Sequence, residues 1–228
     1  MFPPDDHDDS QPSSSAERWS VVLFVVLILG LFGADIAVNY QPVKLSALFV
    51  ILFWIPLLAL HELAHAAMAR TVGWHVERIV IGFGLLYWKF PMFGSWVEVR
   101  QVPVSGYILS RPTNLIFPRT KDFLIYFAGP GSGLFIALAV LLLAGPECLF
   151  QKSDHYGLIL CQSLAIAGAA QAFMNLVPTI FMMGSKTVAN DGLGMLLSFF
   201  RPTEHYAMMM SDEDLNQPDW KRSLDDDD

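Results

Sequence analysis

Apolar residues in this chain come in blocks about as long as a bilayer is thick. A hydrocarbon core of ~30 Å is crossed by a helix of about 20 apolar residues. Four blocks reach that length: Trp19 to Val38, Leu45 to Ala69, Phe123 to Gly145 and Gly157 to Val177. A shorter one, Leu193 to Phe200, fits a partial or interfacial helix. Composition agrees, because 54% of the 228 residues are hydrophobic and only 16% are charged, against about a quarter charged in soluble domains. The expectation is a mainly α membrane protein with about four transmembrane helices.

The net charge of −8 comes largely from the ends. Residues 1–18 and 201–228 read as disordered, solvated acidic tails around a core at 19–200. No basic or aromatic cluster points to nucleic acid. Cys148 and Cys161 lack ligand spacing, and a disulfide is not expected. The first block follows 18 polar residues and has no small-residue cleavage pattern after it, so it reads as an anchor and not a signal peptide.

Basic residues mark the cytoplasmic side of a membrane protein. With four spans and both termini in the cytoplasm, 12 of the 14 Lys and Arg residues fall inside; Lys44 and Lys152 fall outside. The segment from Arg70 to Lys121 is then cytoplasmic. Sixteen residues, Leu45 to Leu60, separate Lys44 from His61. They span roughly 24 Å of helix, which puts His61 and His65 in the last turn or two of the second span. Pro56 is a kink site just before them.

"HELAH", residues 61–65, places two imidazoles four apart on one helix face. That spacing can hold a zinc ion, with Glu62 as general base toward water. The bare pattern also fits an interhelical hydrogen-bond knot, although ionisable groups within a span are functional by default. A third protein ligand is needed. The metzincin extension is excluded because position 71 is Thr71. His75 reads as a surface histidine in a polar turn. Among the acids, Glu77 and Glu98 lie in the cytoplasmic segment, Glu147 and Asp154 on the opposite side. Asp191 follows the fourth span, within "MNLVPTIFMMGSKTVANDGLGML".

Four segments together resemble the site-2 protease family of intramembrane zinc metalloproteases, in a minimal form without a PDZ or CBS domain. They are "HELAH" closing a span, "IGFGLLYWKFPMFGSWVEVRQVPVSGYI", "FAGPGSG" opening the next span, and "NLVP" followed by "NDG". The resemblance implies His61, His65 and Asp191 as zinc ligands and Glu62 as the catalytic base. It also implies that Asn175 helps hold the substrate or the developing oxyanion. The chain departs from the pattern twice. Ser105 replaces the first Gly of a Gly-Gly-Tyr element, and thirteen steps separate Pro178 from Asp191.

The residues give their own reading of these segments. From Val76 to Tyr107 the chain is rich in β-formers, and "VEVRQV" alternates, so two or three short strands are expected. They form a small cytoplasmic or membrane-embedded β-hairpin element between the second and third spans. Its edge is either a strand-addition site for substrate or a hairpin lying on the membrane. Gly129, Gly131 and Gly133, and "AIAGAA" at 165–170, read as close helix contacts. Asn175 fits a helix cap or a donor to an oxyanion. Asp35 is expected at the outer interface.

The function implied is regulated intramembrane proteolysis: hydrolysis within or next to the transmembrane segment of a membrane protein or membrane-associated peptide. A membrane zinc protease with a glutamate third ligand is the alternative enzyme, but Glu77 and Glu98 lie in strand-like sequence. A non-catalytic scaffold or metal-binding regulator would have no need of Glu62.

Overall fold

A computed structural model of the chain describes residues 15–146, 151–183 and 186–211. The long elements are helices α1 (Ser15–Val38), α2 (Leu45–Thr71), α3 (Pro118–Ala144) and α4 (Tyr156–Leu176), with strands β1 (Trp74–Met92) and β2 (Ser95–Pro112) between α2 and α3. A second hairpin, β3 (Ile180–Met183) and β4 (Lys186–Ala189), leads into the short helices α5 (Asp191–Ser198) and α6 (Thr203–Ser211). Among the described residues, three segments are long and apolar enough to cross a membrane: Pro42–Thr71, Pro118–Ala144 and Tyr156–Leu176. In α1 the stretch Val26–Val38 is a shorter apolar helix among the described residues.

Large apolar side chains face outward along these helices, including Ile51, Leu52, Phe135, Leu142 and Leu143. Such surfaces need lipid rather than water around them. Where α3 and α4 cross, the facing residues are small. A side chain on Gly133 would come within 2.6 Å of the Gly168 carbonyl, and one on Gly168 within 2.9 Å of the Gly133 carbonyl. The two glycines therefore set the crossing of α3 and α4. Gly131 differs from the expected close contact, since it adjoins only Phe127 of its own helix. Between the end of α1 and the start of α2, Asp35 pairs with Lys44 at 2.5 Å.

α2 continues through Pro56 to Thr71 because Ala66, Ala67, Met68, Ala69 and Arg70 all favour helix. The chain turns at Gly73, whose φ of 82° is in the left-handed region. His61 thus lies ten residues, nearly three turns, before the helix end. Leu58, His61, Glu62, His65, Ala66 and Ala69 form its buried face.

The sheet has two long strands, not two or three short ones. Each strand bends, and four runs pair side by side. Residues 78–81 of β1 pair with 106–109 of β2 on one side and with 96–99 on the other, while 86–92 pair with 95–100. The bend comes at Gly82 and Gly84, both with positive φ, and a side chain on Gly82 would meet the Val102 carbonyl at 2.8 Å. Trp74, Val76, Ile79, Ile81 and Val97 pack with Leu58, Ala66 and Ala69 of α2, Ile125 of α3 and Tyr206 of α6.

α1 begins at Ser15, within the stretch expected to be tail. Packing also runs past residue 200, into the expected C-terminal tail, because Tyr206 of α6 is fully buried against this core. Cys161 is a free, exposed thiol; Cys148 and Glu147 lie outside the described residues.

Replacing Gly133 with Leu is expected to destabilise the detergent-solubilised protein by about 1–3 kcal/mol through overpacking at the α3–α4 crossing. Gly157→Ala, whose new methyl would sit 3.4 Å from His155, is expected to leave stability within about 0.5 kcal/mol. Thermal unfolding of the two variants beside wild type checks this.

Candidate metal centre

Two distant parts of the chain meet at the buried face of α2. His61 Nε2 lies 2.8 Å from Asp191 Oδ2, and His65 Nε2 lies 3.3 Å from the same oxygen. The two Nε2 atoms are 3.0 Å apart. Both histidines are only 4% exposed. The three side chains each offer a donor atom within 4.8 Å of the others.

This donor set fits a tetrahedral metal ion. Zn–N and Zn–O bonds of about 2.0–2.2 Å imply donor-to-donor separations of about 3.3 Å, close to those found. His65 Nδ1 donates to the Ile125 carbonyl at 2.6 Å. A carbonyl only accepts, so Nδ1 carries the hydrogen and the Nε2 lone pair faces His61 and Asp191. Two imidazole nitrogens and a carboxylate oxygen aimed at one point are the arrangement a cation satisfies.

α3 comes close enough for this only because position 129 is glycine. A Cβ there would fall 2.6 Å from His61 Nε2 and closer still to His65 Nε2. Close packing of the "AGPGSG" stretch against the histidine helix is therefore found at Gly129 alone of its three glycines. Glu62, 4% exposed, lies against the sheet: a Cβ on Gly106 would meet its Cγ at 2.7 Å. The 106–109 run of β2 pairs on one side with β1, so an outer run of the sheet passes beside Glu62.

Asp191 arrives by way of the β3–β4 hairpin, which the sequence did not reveal. That hairpin takes up the longer spacing after Pro178 and closes on itself. Asn190 N–H donates to the Thr179 carbonyl at 3.1 Å, and Thr179 N–H to Asn190 Oδ1 at 2.9 Å. Asn190 also caps α5, accepting from Leu193 N–H at 3.0 Å. Its Nδ2 donates to the carbonyls of Val177 at 2.7 Å and Asn175 at 3.1 Å. One buried side chain thus joins the end of α4 to the start of α5, and the only sequence signal for it is an Asn just before a short apolar run. Gly192 follows because α4 ends against it; a Cβ there would meet the Leu176 carbonyl and, at 3.0 Å, the Asn175 carbonyl. Burial works against charge on Asp191, but the facing His65 and His61 outweigh it and hold its carboxyl below the usual range.

The other candidates lie elsewhere. Asn175 Nδ2 donates to the Gln171 carbonyl of its own helix at 2.9 Å, which is neither a cap nor a contact with the cluster. Glu77 pairs with Arg111 at 3.1 Å. Glu98 sits among Arg100 at 3.0 Å, Lys89 at 3.7 Å and Arg78 at 3.9 Å. Neither glutamate joins the histidines, so the alternative third ligand is not supplied by them. His75 lies on β1 opposite Arg111.

Asn190→Ala is expected to cost about 1–2 kcal/mol through the lost cap alone, with the bridge to α4 lost as well. Denaturant or thermal unfolding in detergent would reveal it; unchanged stability would mean that the bridge holds nothing.

The chain is similar to known proteins. Residues 48–182, more than half of the chain, match Peptidase family M50. The protein named "Putative zinc metalloprotease Cj1068" from Campylobacter jejuni is 28% identical over 162 residues, covering 65% of this chain and 42% of its own length. "Zinc metalloprotease Rip1" from Mycobacterium tuberculosis is 30% identical over 109 residues, covering 40% of this chain and 27% of its own. The chain therefore spans less than half the length of these relatives. The match to the family over most of the three apolar helices, together with the His61–His65–Asp191 cluster, gives one conclusion: the chain belongs to Peptidase family M50, a family of peptidases, and is an integral membrane protein.

Proposed function

We propose that this protein is a zinc metalloprotease of the site-2 type, which hydrolyses a peptide bond within or next to a transmembrane segment of its substrate. The observation that carries the reading is the meeting of His61 and His65 with Asp191, 130 residues away in sequence, at 2.8 and 3.3 Å. The names of the relatives, which specify zinc metalloproteases, support the choice of metal. Zinc held by these three residues supplies Lewis acidity, which brings the pKa of water toward ~7 and polarises a carbonyl.

The chain's own groups carry the rest. Glu62, on the turn between the two histidines, takes a proton from water as its oxygen attacks the scissile carbonyl carbon. The same carboxyl returns the proton to the amide nitrogen as the C–N bond breaks. A transmembrane helix hides its carbonyls in hydrogen bonds, so the substrate must unwind first. The outer β2 run beside Glu62 offers backbone partners to an extended segment, which supports binding by strand addition. Asn175 is bonded within α4, so a role toward the oxyanion requires its amide to turn away from Gln171.

Four spans with both termini cytoplasmic remain our reading of the topology, supported by the distribution of basic residues. α1 supplies the fourth span. The partners are then the bilayer and a membrane-anchored protein or peptide, and the core at 19–200 carries the chemistry between flanking acidic segments.

The test is zinc content and peptidase activity of detergent-purified protein. Wild type is expected to hold about one zinc per chain, and Asp191→Ala or Gly129→Ala to lose most of it. Glu62→Gln is expected to keep the metal while cleavage of a transmembrane peptide falls by about 10²–10⁴. A Glu62→Gln protein as active as wild type would falsify the assignment of the base. Wild type that folds but takes up no supplied zinc would sink the protease reading and favour a scaffold.

A further inference from the structure

α5 carries Asp191 but has little stability of its own. It is eight residues long and contains Gly192 and Gly194. Isolated helices of that length do not persist in water, and each glycine costs about 1 kcal/mol relative to Ala. Its position must therefore come from what grips it. Asn190 holds the first turn, as described above. The other end is held by a polar cluster outside the proposed chemistry.

Arg201, three residues beyond α5, donates from a terminal guanidinium nitrogen to Asp122 Oδ2 of α3 at 2.6 Å. The Tyr206 hydroxyl of α6 donates to the same oxygen at 2.9 Å. Asp122 is 4% exposed. The Arg201 guanidinium lies over the Tyr126 ring, 5.5 Å from its centroid. That ring is flush against Gly194, where a Cβ would fall within 2.6 Å of three of its atoms, one contact being closer. Arg119 Nε donates to the Arg201 carbonyl at 2.8 Å. Burial and the neighbouring Asp122 both push the Tyr206 phenol above its usual range, so it stays protonated and serves as a donor.

These contacts share one helix face with the metal centre. Asp122, Ile125, Tyr126 and Gly129 recur along α3 at intervals of three and four. Gly129 admits both histidine nitrogens, Ile125 orients His65 through its carbonyl, Tyr126 receives α5 at Gly194, and Asp122 ties down the chain beyond α5. α3 is thus a common template for ligands from α2 and from α5.

We propose that Asp122 and Arg201, assisted by Tyr206, are positioning residues: a latch, closed at the buried Asp122, that fixes α5 on α3 so that Asp191 meets His61 and His65. The proposal rests on the metal reading above. It makes a binding site of the α2–α3 pair only when the segment after α5 is docked. Residues 201–206 thereby belong to the metal centre's support, although none of them approaches the metal.

The experiment is a zinc titration of the full, detergent-purified chain against a competing chelator, with four proteins: wild type, Arg201→Gln, Asp191→Ala, and the double variant. Loss of a partner behind a metal ligand typically costs about 10- to 100-fold in affinity, and that loss is expected for Arg201→Gln. In the Asp191→Ala background the same change is expected to do nothing further, because the latch acts only through Asp191. A general loosening of the protein would instead weaken zinc binding equally in both backgrounds, and that result overturns the proposal. So does unchanged affinity in Arg201→Gln. Should Arg201→Gln fail to fold, Tyr206→Phe, which removes one hydrogen bond and no charge, is put through the same cycle, with an expected loss of about fivefold. Wild type that binds no zinc overturns the metal reading and this assignment together; zinc binding that depends on Asp191 but not on the latch overturns this assignment alone.

Discussion

The approach of α3 to α2 at Gly129 is the contact on which the rest depends. Two histidine nitrogens occupy the space a side chain would fill at that position. Remove that space and α3 backs away, taking with it the Ile125 carbonyl that orients His65 and the surface on which α5 lies. The glycine contact between α3 and α4 at Gly133 and Gly168 extends the same logic along the bundle. In a bilayer there is no hydrophobic drive between helices, so packing of small residues has to supply the association.

Burying two imidazoles and a carboxylate in the last three turns of a membrane-length helix, with a second carboxylate facing them, is costly unless each finds a partner. The fold supplies those partners. The bent sheet covers Glu62, α3 covers the histidines, and α5 brings the opposing carboxylate. The polar groups therefore face one another and the sheet, while the opposite faces of the same helices present Leu, Ile and Phe outward. Partition of one helix into a polar inner face and an apolar outer face lets a polar cluster sit on a membrane-length helix.

The helices were legible because hydrophobic length is a one-dimensional property, and so were His61, Glu62 and His65, since a spacing of four fixes a shared helix face. The strand region was legible in type but not in form. β-propensity marked Val76 to Tyr107, whereas the folding of two long strands into four paired runs depends on bends at Gly82 and Gly84 and on contacts between residues far apart in sequence. Asn175 was legible only as a polar group at a span end; in the fold its amide meets a carbonyl one turn back, while the cap of α5 is Asn190.

The sequence by itself determined that this chain lives in a membrane, where its helices run, and which helix carries a zinc-type pair of imidazoles, because those properties are set by composition and by local periodicity. The resemblance implied which acid faces the pair; only the tertiary structure decided how it gets there. Asp191 stands thirteen steps beyond Pro178, and that separation became short only when β3 and β4 paired and Asn190 joined the ends of α4 and α5. Likewise Arg201 and Tyr206 looked like the start of a solvated tail. Their bonds to the buried Asp122 are contacts across some 80 residues, and no local pattern records a partner that distant.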